Sequence, residues 1–306
     1  MRIGPGIYFG MPEKKYHSLK DWIDQSRLKL ILKSPRKYMD PGAFKRSRAM
    51  IFGSAWSCWM LTPDVYGDLY IETPWEIQNS NYLSKWISRQ EAQNPGKIVL
   101  TASEVHLLTK MEESFMTEDR AVKHLEGSLK EVSIFWEEFF TCPLCSGEGC
   151  QACDNSGEIL LKFKARIDFI KETGSCIIVG DLKTCRDSSI KAFTGDILKR
   201  DYRFQLAFYI HALKHYLQDI ERYFGLLIAC EKESTLAVEP YELSFLDLAE
   251  GEYRRQAAIE ILLRCMTTSN WKAPYQEQSA PIIECPEYTR TYTKQRGNDV
   301  YTDTDE

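Results

Sequence analysis

The sequence has no long apolar run. Nowhere in its 306 residues do apolar side chains continue for the roughly 18 positions that a membrane-spanning helix needs. The opening stretch, MRIGPGIYFGMPEKKYH, has no apolar segment behind a basic start, so it does not read as a secretory signal. A cytoplasmic location, with no membrane contact, is the expectation that follows. The chain also lacks an internal repeat and a Pro/Gly/Ser-rich linker, which argues for one elaborated domain over residues 1–290. It lacks a basic excess as well: 39 Lys and Arg stand against 44 Asp and Glu, a formal charge of −5. Its net field would not draw nucleic acid, so such contact needs a local patch. Lys33, Arg36, Lys37, Lys45, Arg46 and Arg48, with the single acid Asp40 among them, form one candidate DNA-binding patch. The same stretch also fits a solvated helix end and loop.

Cysteine, by contrast, is abundant: there are ten, four of them within twelve residues. In a reducing compartment these are thiols and not disulfides. The six scattered ones read as small buried hydrophobes.

Residues 1–130 read as mainly helical. Ser26 is placed to cap a short helix bearing Leu28, Ile31 and Leu32, which Pro35 ends. An apolar run from Met50 to Leu61 contains Gly53, Ser54 and Ala55, which permit close backbone approach. Thr101 and Glu104 have the capping-box spacing for a helix carrying Val105, Leu108, Met111 and Phe115. From Glu131 the period changes to that of strands, and residues 131–245 read as the core. EVSIFWEEFF is β-branched and aromatic. In EILLKFKARIDFI, apolar residues alternate with Lys162, Lys164, Arg166 and Asp168, a half-buried strand with a basic face that ends in an acid. After the turn KETGS come the strand CIIVGDLKT, a helix from about Tyr202 to Leu217, and the strands YFGLLIAC and LAVEPYEL. A last helix, about Leu246 to Met266, and the Pro-containing extended segment after it make up residues 246–290, and residues 291–306 read as a flexible acidic tail. This is an α/β fold, a mixed central sheet flanked by helices.

Hydrolysis of a phosphodiester calls for a hard cation held by carboxylates. Asp168 and Asp181 lie on consecutive strands joined by a turn, so antiparallel pairing brings them to one place. Asp181 and Lys183, two apart, project from one face, and the Leu182 carbonyl between them is a further oxygen ligand. Lys183 is suited to orienting a water or offsetting charge on the phosphate. Gln205 and Tyr209 stand one helical turn apart and would hold phosphate or the lysine. Taken singly, the Asp-x-Lys triplet also fits a surface ion pair, and the Gln/Tyr pair a core helix.

The joint order Asp168, Asp181-Leu182-Lys183, Gln205-x-x-x-Tyr209 resembles the core of RecB-like PD-(D/E)XK nucleases. GIYFGMPEKKYH, SRLKLILKSPRKY, FGSAWSCWMLTP, EVSIFW and NWKAPY are similar to the RecE-type phage exonucleases in particular. The resemblance spans nearly the whole chain apart from the cysteine run and the tail. It implies a restriction-endonuclease-like core and a Mg²⁺- or Mn²⁺-dependent DNA exonuclease acting from duplex ends in phage or prophage recombination. A ring-shaped homo-oligomer and a single-strand annealing protein as partner are implied with it. One position departs: Ser57 stands where the family usually has a histidine at the metal site, which bears on metal number and preference. Glu131 is either an extra acid at the site or a solvated strand end. Two other readings remain: a non-catalytic DNA-end-binding scaffold with this fold, or a nuclease of the CRISPR-adaptation type.

Residues 141–157 form the cysteine insert. Cys142-x-x-Cys145 and Cys150-x-x-Cys153 supply four thiolates suited to a structural Zn²⁺. The neighbouring Gly and Asn residues tolerate the left-handed backbone that aims N–H groups at sulfur, and the paired turns are similar to DnaJ-type zinc modules. An iron–sulfur cluster and four free thiols are the rivals. Lying between two strands, the insert is expected to be an exposed knob on a hairpin.

Overall fold

A computed structural model describes residues 3–42, 46–75 and 80–272. Lys45, the segment after residue 272 and the acidic tail lie outside the described residues. The first half contains β1 (Gly6–Tyr8), α1 (Glu13–Ser18), α2 (Gln25–Lys33), α3 (Pro35–Met39), α4 (Arg48–Leu61) and α5 (Tyr66–Leu69). It continues with β2 (Tyr70–Glu72), α6 (Ser80–Gln93), β3 (Ile98–Leu100), α7 (Ala102–Thr117) and α8 (Asp119–Leu125). The second half holds β4 (Leu129–Thr141), β5 (Glu158–Thr173), β6 (Cys176–Cys185), α9 (Ile190–Arg200), α10 (Tyr202–Lys214), β7 (Arg222–Glu231), β8 (Val238–Glu242) and α11 (Phe245–Thr268).

The main sheet has the order β1-β4-β5-β6-β7-β8. Every pairing in it is antiparallel except β6 with β7. That parallel pair needs a crossover, and α9 and α10 supply it. One face of the sheet packs Phe163, Ala165, Ile167, Val179 and Leu227 against α2, α10 and α11. The other packs Phe169, Leu182, Leu226 and Ile228 against α4, α7 and α8. The expected capping box at Thr101 and Glu104 is present, and Leu108, Met111 and Phe115 are its buried face.

Three local expectations are corrected. Asp24, not Ser26, caps α2, accepting from Arg27 N–H at 2.9 Å. Ile23 is tied to β5 through Lys162 O and Lys164 N, so the chain leaves extended geometry at Asp24 and the helix begins there. The basic face of β5 is covered at Lys164 and Arg166, while Lys162 stays partly exposed. Lys164 is 2% exposed and donates to Tyr16 O at 2.9 Å and Leu19 O at 2.8 Å, while Arg166 donates to Met11 O at 2.6 Å. Residues between β1 and α2 cross that face, and their carbonyls satisfy the cations that the alternation would have left to water. Lastly, Asp168 does not end its strand, because β5 continues to Thr173.

Glycine is required at one point on β6. A Cβ on Gly180 would lie 1.9 Å from the Phe169 ring, which folds over it. Gly53 meets the expectation of close approach, since a Cβ there would lie 3.3 Å from Thr184 Oγ1.

Candidate active site

β5 and β6 pair from Thr173↔Cys176 to Phe169↔Gly180. Beyond that point Asp168 takes over from the ladder: its Oδ2 accepts from Leu182 N–H at 2.9 Å. N–H and C=O of one strand residue point to the same side, so the Leu182 carbonyl shares the side facing Asp168. The neighbouring ladder also breaks here. Lys130↔Phe169 and Val132↔Ile167 are paired, while Glu131 between them has φ of 53° and its carboxylate accepts from Arg166 Nε. Glu131 is therefore the third residue of a strand, not a solvated strand end.

Asp181 is 2% exposed. Lys183 forms an ion pair with its Oδ2, and Gln205 Nε2 donates to its Oδ1 at 3.0 Å. The same Gln205 nitrogen lies 2.9 Å from the Tyr209 hydroxyl, to which it donates. Gln205 and Tyr209 thus brace the carboxylate and not the lysine. Lys183 is held by a residue that the sequence reading missed: its Nζ lies 4.6 Å from the centre of the Tyr202 ring, a cation–π contact. Tyr202, Gln205 and Tyr209 are spaced i, i+3, i+7, so they line one face of α10. That spacing was the available signal. Lys29 was also missed. It donates to Arg200 O at 3.2 Å and lies over Phe204, and no periodicity in α2 marks it.

Electrostatics tie these groups together. Burial, then the charges of Asp181 and Glu131, push the Asp168 carboxyl well above its ordinary range. Burial also raises Glu131, with Glu13 and Asp181 adding to it against the pull of Arg166. Burial opposes the charge on Lys183, yet Asp181, Tyr202 and Asp168 hold its pKa above the usual value. Burial, with Lys183 and Lys33 nearby, brings Lys29 down to about 7 against the attraction of Asp201 and Asp181. A cluster of carboxylates that resists ionising together fits a hard divalent cation, which would be held by Asp168, Asp181 and the Leu182 carbonyl, with Glu131 beside them.

A pH dependence follows. Asp168 keeps its proton in the fold where the unfolded chain has lost it, so the folded state binds more protons above the ordinary carboxylate pKa. The metal-free protein loses stability as pH rises from about 4 towards the raised value. A cation replaces that proton and binds better as pH rises. The upward melting shift caused by Mn²⁺ should therefore grow as pH is raised above the ordinary carboxylate range. A shift that stays constant with pH, measured by scanning fluorimetry, would mean that the cation displaces no proton from Asp168.

Ser57 lies on α4 one turn beyond Gly53 and is half-buried. The adjacent Cys58 thiol is raised by burial, then by the Glu131 and Glu13 charges, so this turn of α4 is close to the acids. Trp56 is fully buried, as expected. The basic stretch is spread over the ends of α2 and α3 and the start of α4. Lys33, Arg36 and Lys37 are exposed at the ends of α2 and α3, Arg46 donates to Ser54, and Arg48 pairs with Glu104 and Val99 O.

The four clustered cysteines converge. Cys142–Cys150 Sγ atoms are 3.8 Å apart, and Cys145–Cys153 and Cys150–Cys153 are both 3.7 Å apart. Tetrahedral thiolates at about 2.3 Å from a zinc ion stand about 3.8 Å from one another, so the cluster fits the ion. Burial works against ionisation of Cys153, but N–H donors of Cys150 and Gly157 help bring its thiol down to about 6. The left-handed residues expected around the turns are there: Ser146, Gly147, Gly149, Asp154, Asn155 and Gly157. Most of the insert is exposed, as expected of a knob, but it is anchored to the core. Cys142 is 0% exposed and Cys153 6%, and both belong to the core that includes Ile259, Leu262 and Leu263 of α11. The turn Gln151–Cys153 makes the contact with α11.

Residues 153–278 match a family described as a PDDEXK-like domain of unknown function (DUF3799). That span contains Asp168, Asp181, Lys183, Gln205 and Tyr209. The chain carries a PD-(D/E)XK-like domain. A crystal structure from Eubacterium rectale, provisionally designated an exonuclease, superposes with a TM-score of 0.53 at 11% identity, covering 95% of this chain and 100% of that one. At that identity the likeness is one of fold. The structure of the protein called SSO0001 is 14% identical with a TM-score of 0.28, covering 78% of this chain and 83% of that one, too distant to inform the PD-(D/E)XK-like domain. No curated protein matches. Among the described residues no helix is long and apolar enough to cross a membrane.

Proposed function

We propose that this protein is a Mg²⁺- or Mn²⁺-dependent DNA exonuclease of the RecE type, working from duplex ends in phage or prophage recombination. The observation that carries the reading is the buried Asp181–Lys183 pair, braced by Gln205 and facing Asp168 across the end of a ladder. Burying charge this way is costly for stability alone, and a PD-(D/E)XK-like domain gives it a use.

Asp168, Asp181 and the Leu182 carbonyl would hold the cation, which polarises the scissile phosphate and lowers the pKa of the attacking water. Gln205 holds one Asp181 oxygen in place and leaves the other to Lys183. Tyr202 and Asp181 together fix the Lys183 ammonium, whose charge offsets that developing on the phosphate. Lys29 is a second cation near the same phosphate. The four-cysteine site takes a structural Zn²⁺, and its close spacing suits one ion and disfavours the iron–sulfur reading. The ring-shaped oligomer and the annealing partner belong to the RecE-type reading and rest on the sequence resemblance alone.

The test is digestion of linear and covalently closed duplex DNA with and without Mg²⁺ or Mn²⁺. Linear DNA should be degraded from its ends only with metal, and closed circles should survive. Cleavage of closed circles would replace the exonuclease with an endonuclease. Absence of cleavage with either metal, alongside tight binding to ends, would favour the non-catalytic scaffold that Ser57 hints at.

A further inference from the structure

The turn after β1 leaves one aromatic ring in solvent. Tyr8, Met11, Tyr16 and Trp22 all gather around Phe135, whereas Phe9, among them in the chain, is 64% exposed. The backbone on either side of it is tied down. Tyr8 Oη donates to Gly4 O at 3.0 Å before the ring, and Arg166 Nη1 donates to Met11 O at 2.6 Å after it. Gly10 makes the turn between, with φ of 63°. A Cβ there would meet no atom within 4 Å, so the left-handed backbone alone calls for glycine.

This turn borders the acid cluster. The Arg166 guanidinium that holds Met11 O also pairs with Glu131. Phe9 is thus separated from the acids by two residues of chain and one guanidinium. Strand register agrees. β1 and β4 pair from Gly6↔Phe135 to Tyr8↔Ser133, and one further step along each strand sets Phe9 beside Val132, the neighbour of Glu131. Adjacent strands lie about 4.8 Å apart, so the ring is rooted within a nucleotide's reach of Glu131.

The kind of partner follows from size and chemistry. A stable protein interface buries about 800 Å² on each side, and one ring flanked by Gly10 and Pro12 offers far less. A nucleic-acid base, by contrast, presents a π-face whatever its sequence, and one aromatic side chain suffices to stack on it. Inside a duplex both faces of every base are already stacked on neighbours. Only a terminal base has a free face.

Resting on the nuclease reading, we propose that Phe9 selects duplex ends by stacking on the free face of the terminal base while the adjoining phosphodiester lies against Asp168 and Asp181. The acids and Lys183 would act on groups that every nucleotide carries, so they do not distinguish an end from the interior. A stack available only at an end does, and it favours exonuclease over endonuclease attack.

Binding measured with Ca²⁺ in place of Mg²⁺ separates this inference from the nuclease reading. The probes are a DNA hairpin with one open blunt end and the same duplex closed by loops at both ends, compared by fluorescence anisotropy. The wild type should bind the open hairpin at least about fivefold more tightly, the size of one base–aromatic stack. Phe9→Ala and Phe9→Leu should each remove that preference and leave affinity for the closed duplex unchanged, while Phe9→Trp should keep it. In cleavage, Phe9→Ala should raise KM for blunt linear duplex by a similar factor, with its Mn²⁺ melting shift at the wild-type value. If the wild type does not cleave, the nuclease reading falls and the binding comparison still decides for Phe9. A wild type that binds both probes alike, or Phe9→Ala and Phe9→Leu variants that keep its preference, would overturn the proposal. So would loss of the far-UV circular dichroism of the fold in these variants, which would make the ring a packing residue.

Discussion

Asp181→Asn should lower the rate of DNA hydrolysis by at least about a thousandfold while DNA binding persists, on the reading that Asp181 anchors the cation. The substitution removes a ligand charge and almost no volume. It also disturbs a braced group: Gln205 Nε2 and Lys183 both approach the carboxylate as donors, and an amide nitrogen can accept from neither. Lys183 would lose its principal counter-charge. Breaking a buried ion pair costs about 3–5 kcal/mol in the severe cases, but removing the Asp181 charge also relieves Asp168 and Glu131, whose carboxyls it pushes up. A modest fall in melting temperature with an intact fold is the expected balance. Binding rests mainly on lysine and arginine contacts to phosphate, which losing an acid does not weaken. Lys183→Ala should suppress cleavage too and weaken binding slightly. Wild-type digestion by purified Asp181→Asn, with circular dichroism showing a folded protein, would remove Asp181 from the site.

Cys142→Ser should abolish stoichiometric zinc and lower the melting temperature by roughly 10 °C, corresponding to a loss of about 3 kcal/mol or more. The wild type should contain about one zinc per chain. The reason for a large effect is location. Cys142 is fully buried and joins β4 to the core beside α11, so loss of the ion leaves its sulfur unpaired away from water. Cys145→Ser, at a half-buried position, should cost less. Below its melting point the Cys145 variant should still cleave DNA, because Asp168, Asp181 and Lys183 lie well along β5 and β6 from the insert. Elemental analysis finding neither zinc nor iron in protein purified without chelator would eliminate the metal site.

Some of this was legible in residue order because it depends on short-range rules. The Thr101/Glu104 capping box, the antiparallel strands flanking KETGS, the shared face of Asp181 and Lys183 and the Gln205/Tyr209 turn all follow from periods of 2 and 3.6. So does the four-sulfur cluster, since cysteines three positions apart in paired turns have few places to go. Where alternation was read as exposure, it misled. Lys164 and Arg166 look solvated in the sequence of β5, yet residues far upstream cover them. Periodicity reports which side chains differ from their neighbours, not what lies above them.

The sequence by itself therefore determined the strands and helices of the core, the order of the acids, lysine, glutamine and tyrosine along it, and the composition of the metal-binding insert. Only the tertiary structure decided that Gln205 braces Asp181, that Tyr202 holds Lys183, that Glu131 sits among the acids, and that Cys142 and Cys153 join the core beside α11. Each of these joins elements separated along the chain. Such contacts are set by how sheet and helices pack around the ladder break at Asp168, and no local period encodes that packing.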